Sequence, residues 1–307
     1  MATQAGTIFE DYSVRPEVTR GQRYWRAVYN FVRYKPLGAF CGAIVIILIV
    51  MAIFPGWFAT YGPQERGGIT SQFTLNGPSW DHWFGTDALG RDLYSRIIYG
   101  ARTSIVIGFG IVILSQGAAL IIGLLSGYIG GWFDTAFQRI IDVGIALPGL
   151  IFIILVVVSL QQISVVPRII LSLGVLIALS SSRVIRGSAI AAKQNVYVEA
   201  ARVLGATDLR IMVRHVLPNL MAVVIVSASI QVGRAILIEA ALSFLGYGVQ
   251  PPTPSWGHMV DEARTFLSRA PHMAIFPGLA IFVVVYSFNM FGDALRDVLD
   301  PRMRGTR

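Results

Sequence analysis

Apolar positions along this chain gather in long, nearly uncharged runs, with polar residues confined to the segments between them. The runs cover about 37–58, 103–129, 137–160, 169–182, 220–245 and 273–291. Crossing a bilayer core takes roughly 20 residues of helix at about 1.5 Å per residue, so the pattern predicts an all-α chain of six membrane-spanning helices. The fourth run is the weakest and must borrow polar residues at one end, as far as Ile190.

The polar segments have characters of their own. Residues 1–36 are basic and interleave Tyr24, Trp25, Tyr29 and Tyr34, as suits a segment ending in an interfacial helix. A loop at about 59–102 is turn-rich in its first half, whereas Leu89, Leu93 and Ile97 recur every four residues in its second half and predict a helix over 87–99. A further loop at about 246–272 turns through Pro251, Pro252 and Pro254, passes Trp256, and predicts a short helix with Met259, Ala263 and Phe266 on one side. Residues 193–218 form a charged, alanine-rich loop, and 296–307 a basic tail, so the membrane domain is 37–295. Gly123 and Gly127 stand at G-x-x-x-G spacing, which allows close helix contact within the chain or with a partner.

Composition and charge agree with this class. The chain is 54% hydrophobic and 14% charged, against roughly 25% charged residues in soluble domains. Cations cluster before the first span (Arg15, Arg20, Arg23, Arg26, Arg33, Lys35), after the fourth (Arg183, Arg186, Lys193, Arg202, Arg210, Arg214) and after the last (Arg296, Arg302, Arg304, Arg307). The positive-inside bias then predicts both termini in the cytoplasm, although Arg66, Arg91, Arg96 and Arg102 lie on the opposite side. The net charge of +8 reads as topology and contact with anionic lipid, not as nucleic-acid binding. The first run starts late and lacks a cleavage site, so it reads as a retained anchor. Cys41 is the single cysteine, and His82, His215, His258 and His272 have no metal-ligand spacing.

Within 193–218, Tyr197, Ala200, Ala201 and Leu204 share one face on a helical period. Gly205 then supplies a left-handed terminus, Thr207 or Asp208 can cap a second helix carrying Leu209, Met212, Val213 and Val216, and Pro218 fits the first turn of the next span. Two readings stay open on these residues alone: an amphipathic loop resting on lipid headgroups, or a bracket shaped to enter a groove on another protein.

The stretch "EAARVLGATDLRIMVRHVLPN" resembles the cytoplasmic motif of permease subunits of binding-protein-dependent ABC importers, with Glu199, Ala200, Ala201, Gly205, Leu217 and Pro218 in register and His215 where the motif has isoleucine. "HWFGTDALGRDLYSRIIYGARTS", "EAALSFLGYGVQPPTPSWG" and "GDALRDVLDPR" are similar to the C-type permeases of the dipeptide, oligopeptide and nickel branch. The resemblance implies a six-span type I permease fold in a cell membrane, in which Glu199, Ala200, Ala201, Leu204, Gly205, Leu217 and Pro218 couple to an ATPase. It also implies a B-type permease, two ABC ATPases and an extracytoplasmic solute-binding protein as partners. No cofactor is expected on this chain: neither Lys35 nor Lys193 stands in a G-x-x-x-x-G-K-[ST] loop, so ATP and Mg²⁺ would bind the ATPase chains. Secondary transport or a channel is the alternative, for which inverted repeats and broken helices would speak; the sequence displays neither. An intramembrane enzyme would need a paired catalytic set, and Asp142 alone does not supply one.

Polar residues inside the runs are candidates for the translocation path. Ser227, Gln231 and Arg234 fall on one stripe, where Arg234 would meet either a substrate carboxylate or a carboxylate of the partner permease. Glu239 and Ser243 form a second stripe; Glu239 is a further path candidate, although the pair reads more as securing packing at the outer mouth, and Gln116 and Asp142 have weaker claims. Outside, "GTDALGRD" reads as a structural turn with Asp87 as cap and Arg91 paired to Asp92, whereas Pro251, Pro252, Pro254 and Trp256 are expected to form the rim that meets the solute-binding protein. Asp293, Arg296, Asp297 and Arg302 read as a solvated helix end.

Overall fold

The computed structural model describes residues 20–65 and 74–299; Arg15, Arg66, Arg302, Arg304 and Arg307 lie outside them. The chain divides into two units, Met1–Pro36 and Leu37–Arg307. The first contributes α1 (Arg20–Tyr34), which has no acidic residue and exposes Val28, Tyr29, Val32 and Tyr34.

The bundle is built from α2 (Pro36–Ile53), α3 (Pro55–Phe58), α4 (Leu93–Ile129), α5 (Gly131–Ala146), α6 (Gly149–Ser159), α7 (Val165–Lys193), α8 (Val196–Val203), α9 (Asp208–Ile211), α10 (Leu217–Phe244), α11 (Trp256–Ala263) and α12 (His272–Leu299). Among the described residues there is no strand, only an isolated bridge between Thr86 and Asp92. Among the described residues five helices are long and apolar enough to cross a membrane, and α5 with α6 make a sixth span if the pair counts as one. The fourth span does recruit its polar end, since α7 continues unbroken to Lys193.

Three details depart from the sequence pattern. The helix expected over 87–99 begins only at Leu93, where Asp92 accepts a hydrogen bond from the Ser95 N–H, and Leu89 is left exposed in a turn. The third span is broken: α5 and α6 meet at 94°, because Leu147 is extended before Pro148, and a proline removes a helix N–H and disfavours the helical conformation of the residue before it. The signal was the Pro148–Gly149 pair, hidden by the apolar residues on both sides. Pro218 does fall in the first turn of α10, yet that helix does not start afresh there. α9, a π-helical turn over Met212–Val216 and α10 run on as one helix, Asp208–Phe244, in which the Leu217 N–H reaches back to Met212 O and the wider turn accommodates the proline.

The core runs along α4, α7, α10 and α12. Ile107 and Ile111 of α4, Ile169 and Leu173 of α7, Ala235 and Ile236 of α10, and Val284 and Phe288 of α12 are all buried in one cluster. Glycines let these helices approach. A Cβ on Gly123 would come within 2.7 Å of Ser182 O, and one on Gly127 within 2.8 Å of Arg186 O, so the G-x-x-x-G pair serves contact between α4 and α7 inside the chain. On the same helix, Gly117 has nothing within 4 Å of its would-be Cβ.

That contrast gives a controlled prediction. Gly123→Ala should destabilise the purified protein by about 1–3 kcal/mol, the usual range for forcing extra volume into a packed interface, whereas Gly117→Ala should leave its thermal midpoint in detergent unchanged or slightly raised. Equal midpoints for the two variants would refute this packing.

Candidate functional site

At the α11 end of the bundle the long loop folds onto buried charges. Asp87 accepts from the Leu89 and Arg91 N–H groups at 2.8 and 2.9 Å, and its other oxygen takes Arg91 Nε at 2.6 Å and Arg96 Nη1 at 2.5 Å. Both arginines also donate to Glu262 on α11, at 3.3 and 3.1 Å. Burial pushes the Asp87 carboxyl above the usual carboxylate range while the Arg91 guanidinium pulls it back. The expected Arg91–Asp92 pair does not form, because Asp92 caps α4 and binds His82 Nδ1 at 2.8 Å. Trp256 is 1% exposed and donates Nε1–H to Ile97 O at 2.9 Å, with its indole against Gly100. An indole so placed cannot reach a docking protein, and Pro254 is buried too, so of the expected rim only Pro251 and Pro252 remain exposed.

In the middle of the bundle Gln231 Nε2 donates to Ser181 Oγ at 2.9 Å, and Gln116 Nε2 lies 3.5 Å from the same oxygen, joining α10, α7 and α4. Ser227 is half-buried and Arg234 exposed. Glu239 does not share their surface: it is fully buried and accepts from Ser243 Oγ at 2.7 Å, which takes it off any open path in this conformation. Asp142 is likewise committed, since it pairs with Arg183 of α7 and lies 3.6 Å from Arg139. At the far end of α12, Asp293, Arg296 and Asp297 are exposed, whereas Arg302 lies outside the described residues.

At the opposite end of the bundle, the segment between α7 and α10 forms a compact bracket. Asn195 closes α7 by donating its side-chain amide to Ala191 O and Ala192 O, and the alanine-rich α8 follows. Gly205 ends the turn at φ +80°, where only glycine is unstrained, with Ala206 N–H bonded to Ala201 O at 3.0 Å. Thr207 occupies the N-cap position of α9 without a side-chain cap. The orientation of α8 differs from the periodic reading. Val198 and Ala201 turn inward onto Ile211, Met212, Val216 and Leu220, whereas Ala200 and Leu204 face out; Tyr197 is part-exposed and accepts from Asn219 Nδ2 at 3.1 Å. The inward seat is taken by Val198, whose burial completes the cluster, and Ala201 packs beside it while Ala200, about 100° round the helix, is exposed. The outer surface is apolar: Val196, Val203 and Leu204 are 81%, 83% and 86% exposed and, with Glu199 and Ala200, line a shallow depression. Leu217 and Pro218 stand behind it at the foot of α10, and Val216 takes the core seat beside the part-exposed His215.

The sequence pattern did not reveal how the bracket is fastened. Tyr128, buried near the end of α4, donates its hydroxyl to Asp208 Oδ1 at 2.7 Å, while Lys193 at the end of α7 lies over its ring at 5.1 Å and donates to Tyr128 O at 2.6 Å. Beside it, Asp134 of α5 takes Arg186 of α7 and Ser126 of α4. Four elements therefore meet under α8, and the one visible signal was a tyrosine ending an apolar run just before Gly130–Gly131. Tyr128→Phe should remove about 1 kcal/mol and leave the Asp208 carboxylate without its partner, which predicts several-fold faster amide exchange over 196–211 in hydrogen–deuterium measurements, with the core of α4 unaffected. Unchanged exchange would refute this fastening.

Comparison with known proteins agrees with this architecture. Residues 119–305 match the family model described as "Binding-protein-dependent transport system inner membrane component". The chain is similar to the "Glutathione transport system permease protein GsiD" of Shigella dysenteriae serotype 1 (strain Sd197), of Escherichia coli O6:K15:H31 (strain 536 / UPEC) and of Shigella boydii serotype 4 (strain Sb227), in each case 40% identical over 292 residues, covering 95% of this chain and 94% of the relative. A broken span by itself would have spoken for a secondary transporter; a family match over more than half of the chain and a near full-length similarity decide otherwise. The chain belongs to the permease subunits of binding-protein-dependent ABC importers, multi-pass proteins of the bacterial inner membrane, within the dipeptide, oligopeptide and nickel type.

Proposed function

We propose that this chain forms one half of the translocation path of a small-peptide importer and that α8 is the element through which ATP binding on separate chains reaches it. The carrying observation is the outer surface of α8, where Val196, Val203 and Leu204 stand almost fully exposed around Ala200. On a bracket that also bears Glu199, Arg202, Arg210 and Arg214 and exposes Leu209 and Val213 as well, this apolar surface marks an interaction site. Burying a leucine or valine there contributes about 1.5–3 kcal/mol each, and the small Ala200 permits close approach.

In this reading Glu199, Ala200, Leu204 and Gly205 shape the contact with an ABC ATPase, while Ala201, Leu217 and Pro218 fix the bracket to the bundle. The bracket and both termini lie on the cytoplasmic side, and α11 lies outside. A B-type permease supplies the other half of the path, two ATPases bind ATP and Mg²⁺, and an extracytoplasmic solute-binding protein delivers the cargo. Pro251 and Pro252, the exposed members of the expected rim, are the part of it left to meet that protein. ATP can shift the bundle between inward- and outward-facing forms only through contacts that differ between the two, and a bracket fastened to α4, α7 and α10 transmits such a difference to three spans. The names of the relatives support cargo of the glutathione class, a small peptide with free carboxylates.

Affinity purification from native membranes tests the reading. Leu204→Asp and Gly205→Pro should each recover the second permease but lose the ATPase chains, the first by placing a charge in an apolar contact and the second by breaking the turn. Retention of the ATPases with both variants would contradict it.

A further inference from the structure

Arg234 is the only cation of α10, and its surroundings leave its charge unanswered. It stands ten residues before Phe244, about 15 Å along the helix, too deep for its head to snorkel to an interface. Its side chain is exposed on the surface of the bundle, and among the described residues it makes no hydrogen bond or ion pair. Elsewhere in the bundle the chain does answer such charges. Arg183 and Arg186 of α7 are each matched by a carboxylate of α5, Asp142 and Asp134. The one carboxylate of α10, Glu239, is fully buried and engaged with Ser243. A bare guanidinium facing hydrocarbon costs at least about 2.5 kcal/mol, so this surface must face water or a carboxylate from outside the chain.

Its neighbours add polar character. One turn earlier, Gln231 commits its amide N–H to Ser181, and its Oε1 has no hydrogen-bond partner; Gln116, whose amide approaches the same serine, likewise has an unpartnered Oε1. Both of these oxygens are buried in this conformation, so the group open to a ligand here is the exposed Arg234 guanidinium, which suits the carboxylate of a peptide end.

Resting on the peptide-importer reading above, we propose that Arg234 binds the C-terminal carboxylate of the transported peptide and thereby makes the translocation path selective for peptide acids over the corresponding C-terminal amides. The other source of the same chemistry is a carboxylate of the second permease, in which case Arg234 would hold the two permeases together.

The complete importer, reconstituted in proteoliposomes with its solute-binding protein, tests the proposal with glutathione and its glycine carboxamide. Wild type should take up the acid about tenfold faster than the amide, as expected for losing one charge-assisted contact. Arg234→Gln should erase that preference while the second permease still copurifies, and Arg234→Lys should retain most of it. The proposal is overturned by a wild type without preference, by a preference that survives Arg234→Gln, or by an assembled Arg234→Gln importer that moves neither peptide. Loss of the second permease in Arg234→Gln also overturns it and assigns the carboxylate to that subunit. A wild-type importer that takes up neither peptide overturns the underlying peptide reading instead, and does so before any variant is made.

Discussion

Close approach of α4 to α7 is the constraint on which the rest of the molecule depends. Gly123 and Gly127 bring the two backbones so near that a single methyl group would meet Ser182 O or Arg186 O, and this contact continues toward Ile107, Ile111, Ile169 and Leu173. In lipid, where apolar burial between helices supplies little driving force, such surface matching is what holds spans together. It also fixes the ends. Tyr128 and Lys193 are the last turns of the same two helices, so their contact beneath the bracket follows from the packing higher up.

The two ends of the bundle are secured by different chemistry. Beneath α8 a mixed layer of apolar side chains and a tyrosine hydroxyl seats the bracket. At the α11 end, Asp87, Arg91 and Arg96 lie almost out of water with the part-exposed Glu262 at their edge, so removal of Asp87 would strand two buried charges. Trp256 is wedged against Gly100 in the same region, and Gly257 sits where a Cβ would meet Ala240 O at 2.5 Å. The loop between α10 and α12 is thereby bound to α4 and α10, while Pro251 and Pro252 of its proline-rich turn stay accessible.

What was legible in the sequence was local. Apolar run length located the spans, and Gly205 announced a left-handed turn because no other residue takes φ +80° without strain. Contacts between distant residues were not legible. Trp256 follows a proline-rich turn and looks like a surface residue; its partner Ile97 lies 159 positions away. Glu262 answers Arg91 across 171 positions, and nothing near "GTDALGRD" points there. The rotation of α8 was missed for a related reason: Val198 and Ala201 both fit an inward face, and only the cluster contributed by α10 and its π-helical turn selects it. Pro218 and Pro148 were visible, yet their effects depend on whether the surrounding helix widens, as at Met212–Val216, or breaks, as at Leu147.

The contact proposed to carry coupling is that of the exposed apolar surface of α8 with an ATPase chain. Its most direct measurement is site-specific cross-linking in native membranes, with Leu204→Cys introduced after Cys41→Ala removes the one native cysteine. A cross-link from position 204 to an ATPase is expected, with a yield that changes on adding ATP. A residue at 204 that labels only lipid, or that remains freely accessible to soluble thiol reagents in the intact complex, would contradict it.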